Sequence, residues 1–195
     1  MRENVTRSLA PLGLGMTFVC ILSIGAASAL EVNRCELRAG YAYQYTNRSR
    51  PNNFQLLALL PSASVALAGV ERPGFLHGRL EWAPELFLGL FTHPYDRPLI
   101  GVTPIQFRYV WETPCRVKPY LFGGVGILYA NVSRRETRKD LNFNPQGGAG
   151  IYYALNDDTS LILEYRHIHI SNAGLHEDNA GLNTHTFLAG VSIKK

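Results

Sequence analysis

From Glu36 to Ile193 the chain alternates apolar and polar positions with a period of two, in strand-length runs broken by Gly, Pro, Asn and Asp. This pattern predicts eight strands: 36–46, 54–69, 77–92, 99–111, 119–130, 141–155, 160–170 and 184–193. In the first, Leu37, Ala39, Tyr41, Tyr43 and Tyr45 share one face, and Arg38, Gly40, Ala42 and Gln44 share the other. In the fifth, Leu121, Val125, Ile127 and Tyr129 oppose Tyr120, Phe122, Gly124 and Gly126. In the seventh, Leu161, Leu163 and Tyr165 oppose Glu164 and Arg166. The face that carries the charges must meet water or line a polar lumen.

The breaks near 70–76, 112–118 and 156–159 are tight. Those near 47–53, 131–140 and 171–183 are longer and more polar, and the one near 93–98 is short. Eight strands with short turns at one end and longer loops at the other describe an all-β fold, an eight-stranded antiparallel outer-membrane β-barrel. In lipid such a sheet must close, because an open edge leaves backbone groups unpaired. The competing architecture is a soluble eight-stranded barrel or sandwich. Tyrosines along Tyr41, Tyr43, Tyr45, Tyr109, Tyr120, Tyr129, Tyr152 and Tyr153 favour the membrane, where such residues form interfacial girdles.

The N-terminus differs from the rest. Arg2 and Arg7 precede the apolar run LGLGMTFVCILSIG, which ends in Ala26-Ala27-Ser28-Ala29. A basic segment, an apolar segment and a small-x-small site predict a secretory signal peptide at 1–29 and a barrel domain at 30–195. Its loss removes Cys20 and leaves Cys35 and Cys115, a pair that an oxidising compartment could join. Both fall at the short-turn end, but their strands are not neighbours, so pairing and free thiols both stay open. Of the 195 residues 17% are charged, and the net charge of +4 forms no basic stripe of the kind nucleic acid requires.

Chemistry concentrates in HIHISNAGL, residues 167–175. Counting by twos from Leu161 puts His167, His169 and Ser171 on the apolar, outward face. Residues two apart on a strand stand side by side, so His169 can serve as base to a Ser171 nucleophile. The last strand puts Asn183, His185 and Phe187 on the same face, and Asn183 comes close enough to hold the His169 ring. His185 and Glu177 are the second choices for that third position. Asn172 and Gly174 follow in a turn whose backbone N–H groups could meet an oxyanion. Taken alone, His-x-Ser reads equally as a polar strand end, and Asn-Ala-Gly as plain turn chemistry.

The longer segment HISNAGLHEDNAGLN, with KPYLFGGVGI at 118–127 and LNFNPQGGAGI at 141–151, resembles the lipid A 3-O-deacylase family (PagL-like, acyloxyacyl hydrolase). The resemblance covers about the last 80 residues well and the first half only in strand rhythm. It implies a Gram-negative outer-membrane enzyme that hydrolyses the 3-O-linked hydroxyacyl ester of lipid A, with no metal or other cofactor. By residue it implies Ser171 as nucleophile, His169 as base, and Asn172 and Gly174 as oxyanion donors. The family's acidic third member falls on Asn183, a departure, and the chain ends in SIKK rather than an aromatic residue.

Lipopolysaccharide and membrane lipid are then the expected partners. Arg134 and Arg135, with Arg48, Arg50, Arg97, Arg138 and Lys139, are candidates to meet its phosphates. A homodimer in the membrane is an arrangement the sequence leaves open. The alternative function is a non-catalytic barrel of the same family that binds lipopolysaccharide or has a structural role. An esterase for another lipid is a third.

Overall fold

The computed structural model describes residues 31–44, 53–70, 74–94, 96–130, 141–175 and 181–195. The expected signal segment lies outside them, as do Arg48, Arg50, Arg134, Arg135, Arg138, Lys139 and Glu177. Ten strand segments make eight passes: β1 (Val32–Gln44), β2 (Gln55–Val70), β3 (Gly78–Trp82), β4 (Glu85–His93), β5 (Arg97–Trp111), β6 (Val117–Ala130), β7 (Leu141–Phe143), β8 (Gln146–Ala154), β9 (Thr159–Ile170) and β10 (Leu182–Lys194). No helix occurs among the described residues. Every pairing between neighbours is antiparallel, and β1 pairs with both β2 and β10. The sheet therefore closes into an eight-stranded barrel, as the alternation predicts.

Two expected strands are each divided at a proline. The 77–92 strand breaks at Ala83-Pro84 and the 141–155 strand at Asn144-Pro145. Proline has no N–H to give the ladder, so in sheets it sits at edges or bulges. Here the barrel repairs the gaps. Gln106 Nε2 donates to Ala83 O at 2.9 Å, and the backbone N–H of His169 donates to Pro145 O at 3.0 Å.

The outward face is apolar, with Leu37, Leu57, Leu121, Ile127, Leu163 and Phe187 all exposed. The inward face has two zones rather than the uniformly polar lumen that the charges suggested. Toward the longer loops, Phe54, Leu56, Phe87, Phe91, Leu128, Ile168, Ile170 and Leu182 fill the interior. In that half both faces of the wall are apolar, so alternation is muted. Toward the short turns, four buried arginines (Arg34, Arg38, Arg108, Arg166) meet four buried glutamates (Glu36, Glu81, Glu85, Glu164).

Arg38 donates to Glu164 and to Glu85, each at 2.7 Å. Arg166 bridges the same two carboxylates, reaching Glu85 Oε1 at 2.7 Å. Arg108 donates to Glu36 at 2.8 Å, and Tyr120 donates to Glu164 at 2.7 Å. Charges this deep persist only when paired and hydrogen-bonded. The lattice ties β1, β4, β6 and β9 together across the lumen, so the barrel is a packed body and not a pore.

Cys35 and Cys115 do not pair, and both thiols are free and exposed. Cys35 lies on β1, whose neighbours are β2 and β10. Cys115 lies in the β5–β6 turn, which joins the fourth and fifth of eight passes and so sits across the barrel from the first. The wall stands between them.

Two outcomes follow. Intact mass should not change on reduction, and the folded barrel should take up a maleimide at both thiols without reductant. Arg166→Met should leave Glu85 and Glu164 short of a cation and destabilise the barrel by about 3–5 kcal/mol, read as a lower urea midpoint in the heat-modified mobility of the protein.

Candidate active site

The inward residues of β9 position its outward ones. Ile168 and Ile170 are each 1% exposed and locked into the apolar lumen with Leu182. Because side chains alternate along a strand, burying these fixes His167, His169 and Ser171 on the outer wall. β9 and β10 then pair in a register that sets Asn183 directly opposite His169, and His185 opposite His167.

The contact that follows is direct. His169 Nδ1 lies 2.8 Å from Asn183 Oδ1. With the amide oxygen placed toward the ring, oxygen can only accept, so Nδ1–H donates and Nε2 keeps its lone pair. This is the tautomer a general base needs. His185 is turned elsewhere. Its Nδ1 is 2.6 Å from the Tyr165 hydroxyl, and its ring stacks on Tyr165 and tilts against Tyr43. It therefore supports the wall beside the site rather than His169.

Ser171 sits one residue beyond β9 and is 8% exposed. Its backbone is pinned by an exchange with β7: Phe143 N–H donates to Ser171 O at 2.8 Å, and Ser171 N–H to Phe143 O at 3.0 Å. Among the described residues no hydrogen bond joins Ser171 Oγ to His169. The two side chains project on one face of adjacent alternate positions, a gap that such pairs often close only when substrate arrives.

After Ser171 the chain reverses in a tight turn closed by Leu175 N–H to Asn172 O at 3.2 Å. Its central residues, Ala173 and Gly174, have φ of 56° and 77°, the conformation of a type I′ turn. Glycine takes this readily; for alanine it is strained, and such strain gathers at functional sites. The Gly174 N–H donates to Asn172 Oδ1 at 3.0 Å. Of the two expected oxyanion donors, this one is already occupied, and an incoming oxyanion would have to displace the amide.

Gly181 is a component that the sequence pattern did not single out. Its φ is +67°, and a Cβ there would stand 2.7 Å from His169 Cε1. The missing Cβ is what leaves room for the His169 ring at the entry to β10. The expected phosphate-binding residues Arg134 and Arg135 lie outside the described residues.

These features define an eight-stranded barrel of outer-membrane type, carrying a serine, a histidine and an asparagine together on its outer wall at the loop-bearing end. The family model for lipid A 3-O-deacylase (PagL) matches residues 80–192, more than half of the chain. The protein belongs to that family.

Among solved structures, the crystal structure of the outer membrane enzyme PagL matches with a TM-score of 0.60 at 19% identity, covering 80% of this chain and 97% of that one. Neisserial surface protein A (NspA) matches with a TM-score of 0.61 at 17% identity, covering 83% of this chain and 96% of that one. At these identities the likeness is one of fold. No curated protein matches the sequence.

Gly181→Ala should leave the barrel folded, because the added methyl meets chiefly the His169 ring, yet displace that ring. Any activity that uses His169 as a base should then fall on the order of 100-fold, the cost of misplacing a base by about 1 Å, with unchanged heat-modified mobility.

Proposed function

We propose that this protein is an outer-membrane ester hydrolase that removes the 3-O-linked 3-hydroxyacyl chain of lipid A by a Ser171–His169 mechanism. One observation carries the reading: the 2.8 Å contact from Asn183 to His169 Nδ1, on the same outward face as Ser171. That contact sets the base, and the outward face meets acyl chains. The family membership supplies the substrate class. The loop-bearing end, where Ser171 lies, is the end that outer-membrane barrels present to the outer leaflet, where lipid A resides.

The chemistry balances with this chain's own groups. Ser171 Oγ attacks the ester carbonyl while its proton passes to His169 Nε2. The carbonyl oxygen becomes an oxyanion in the turn at Asn172–Gly174, taking the Gly174 N–H in place of Asn172 Oδ1. Collapse expels the sugar 3-oxygen, which takes the proton from His169. Water, deprotonated by the same nitrogen, then attacks the acyl-serine and releases the 3-hydroxy fatty acid with Ser171 restored. Asn183 holds the ring throughout. As a neutral amide it orients the imidazolium but adds no opposing charge, so the transition state is less stabilised than an acidic residue would make it.

A second reading, a non-catalytic barrel that binds lipopolysaccharide, draws on two of the same facts: the neutral Asn183 and the occupied Gly174 N–H. A homodimer finds no support in the comparisons.

Expression in a Gram-negative host that has intact lipid A, followed by mass spectrometry of that lipid A, separates the two. The enzyme reading expects loss of one hydroxyacyl chain, and its absence there favours the binding reading. Ser171→Ala and His169→Ala should each remove the activity, by at least about 1,000-fold, and the double variant should be no worse, because the two act as a unit. Asn183→Ala should reduce the rate less, and Asn183→Asp should raise it by placing a charge beside the imidazolium.

A further inference from the structure

The opposite end of the barrel carries a second feature that the deacylase chemistry does not use. There the start of β1, the end of β10 and two turns are laced together. Ala154 N–H donates to Arg116 O at 2.8 Å, Lys194 N–H to Asp158 O at 2.7 Å, and Lys195 N–H to Asn33 O at 3.1 Å. They enclose a cavity of about 70 Å³ lined, among the described residues, by the cations Arg34, Arg79, Arg116, Lys118 and Lys194 and by one acidic residue, Asp157. A single water needs roughly 10–15 Å³ on this measure, so the space suits a tetrahedral oxyanion and not a sugar or a nucleotide.

The nearby carboxylates pair with Arg34, Arg79 and Lys118 but leave some of their N–H groups unused. Glu112 is shared by Arg79 and Lys118. Burial pushes its carboxyl up, but the Lys118 hydrogen bond and the Arg79 charge outweigh that and hold it below the usual carboxylate range. Glu81 Oε1 accepts from Arg79 Nε at 2.6 Å and from Asn33 at 3.1 Å. Arg34 Nε is left 3.7 Å from that oxygen, beyond hydrogen-bond reach, although its side chain is only 6% exposed.

Arg34 Nε and Arg79 Nη2 are both buried with no hydrogen-bond partner. Among the described residues no carboxylate pairs with Arg116 or Lys194. Buried donors without acceptors are rare in folded proteins and point to a missing partner.

We propose that this cavity is a binding site for a phosphate group, held by Arg34 and Arg79 from within and by Arg116 and Lys194 at its rim. Guanidinium groups match phosphate oxygens in both charge and fork geometry. The mouth lies at the short-turn end, so the phosphate comes from a phospholipid headgroup or from solution.

The test uses the folded full-length barrel in a non-ionic detergent. Calorimetric titration with sodium phosphate, against sodium chloride at equal ionic strength, should show saturable binding at one site. The double variant Arg116→Ala/Lys194→Ala changes two exposed side chains, so heat-modified mobility should be retained. Losing two charge-assisted contacts should weaken binding by at least about tenfold. A second arm repeats the titration in phosphatidylcholine nanodiscs with and without phosphatidylglycerol. Suppression by phosphatidylglycerol assigns the headgroup as the source, and unaltered binding assigns free phosphate. Heat no greater than that of chloride, or a folded double variant that binds as the parent does, overturns the proposal.

Discussion

Hydrocarbon offers a backbone amide no hydrogen-bond partner, so a sheet that crosses a membrane has to close on itself. In this chain closure is the pairing of β1 with β10, eleven register partners from Arg34↔Lys194 to Gln44↔Thr184. Everything else in the molecule is arranged around that ring. Once it is shut, each strand has one face toward lipid and one toward a narrow lumen, and a side chain's parity decides its environment. The same pairing carries β10 to β9, so the register that completes the wall also brings Asn183 opposite His169. Site and closure are two ends of one ladder.

A small barrel must also be filled. This one is filled unevenly, and the division is useful. At the loop end, Phe54, Leu56, Phe91, Ile168, Ile170 and Leu182 make an apolar plug. Beneath the site this plug holds the backbone of β9 still, which keeps His169 and Ser171 presented outward. At the turn end, Arg38, Arg108 and Arg166 are among the largest fully buried side chains, neutralised by glutamates from other strands. Buried ion pairs add little net stability but penalise any register that separates the partners. They therefore act as a lock on strand order, and the donors they leave unused at the mouth, Arg34 Nε and Arg79 Nη2, belong to residues that line the cavity there.

How much of this could be read from residues alone depends on how local the cause was. The eight passes were legible because parity is local: Leu37 against Arg38, Leu163 against Glu164. The breaks at Pro84 and Pro145 were not, since a proline marks a missing donor without saying whether the strand ends or bulges around it. The apolar half of the lumen was hidden because Leu56 and Leu57, or Leu59 and Leu60, are apolar on both faces and give no alternation to count. Of the arginine–glutamate pairing, Glu164 with Arg166, two apart on one strand, was legible, but Arg38 reaching past β10 to Glu164 was not. Within the site, His169 with Asn183 followed from the β9–β10 hairpin register. The turn of His185 toward Tyr165 and the capture of Gly174 N–H by Asn172 depend on side-chain rotamers, which sequence spacing does not specify.

The central claim is that Ser171 is made nucleophilic by His169 on the outer wall. The most direct measurement is covalent labelling of the folded barrel with a long-chain alkyl fluorophosphonate, followed by peptide mass mapping. The account predicts a single adduct on Ser171 in the parent protein and none in a folded His169→Ala variant. A folded barrel that takes no label at Ser171, or takes it equally without His169, would contradict it.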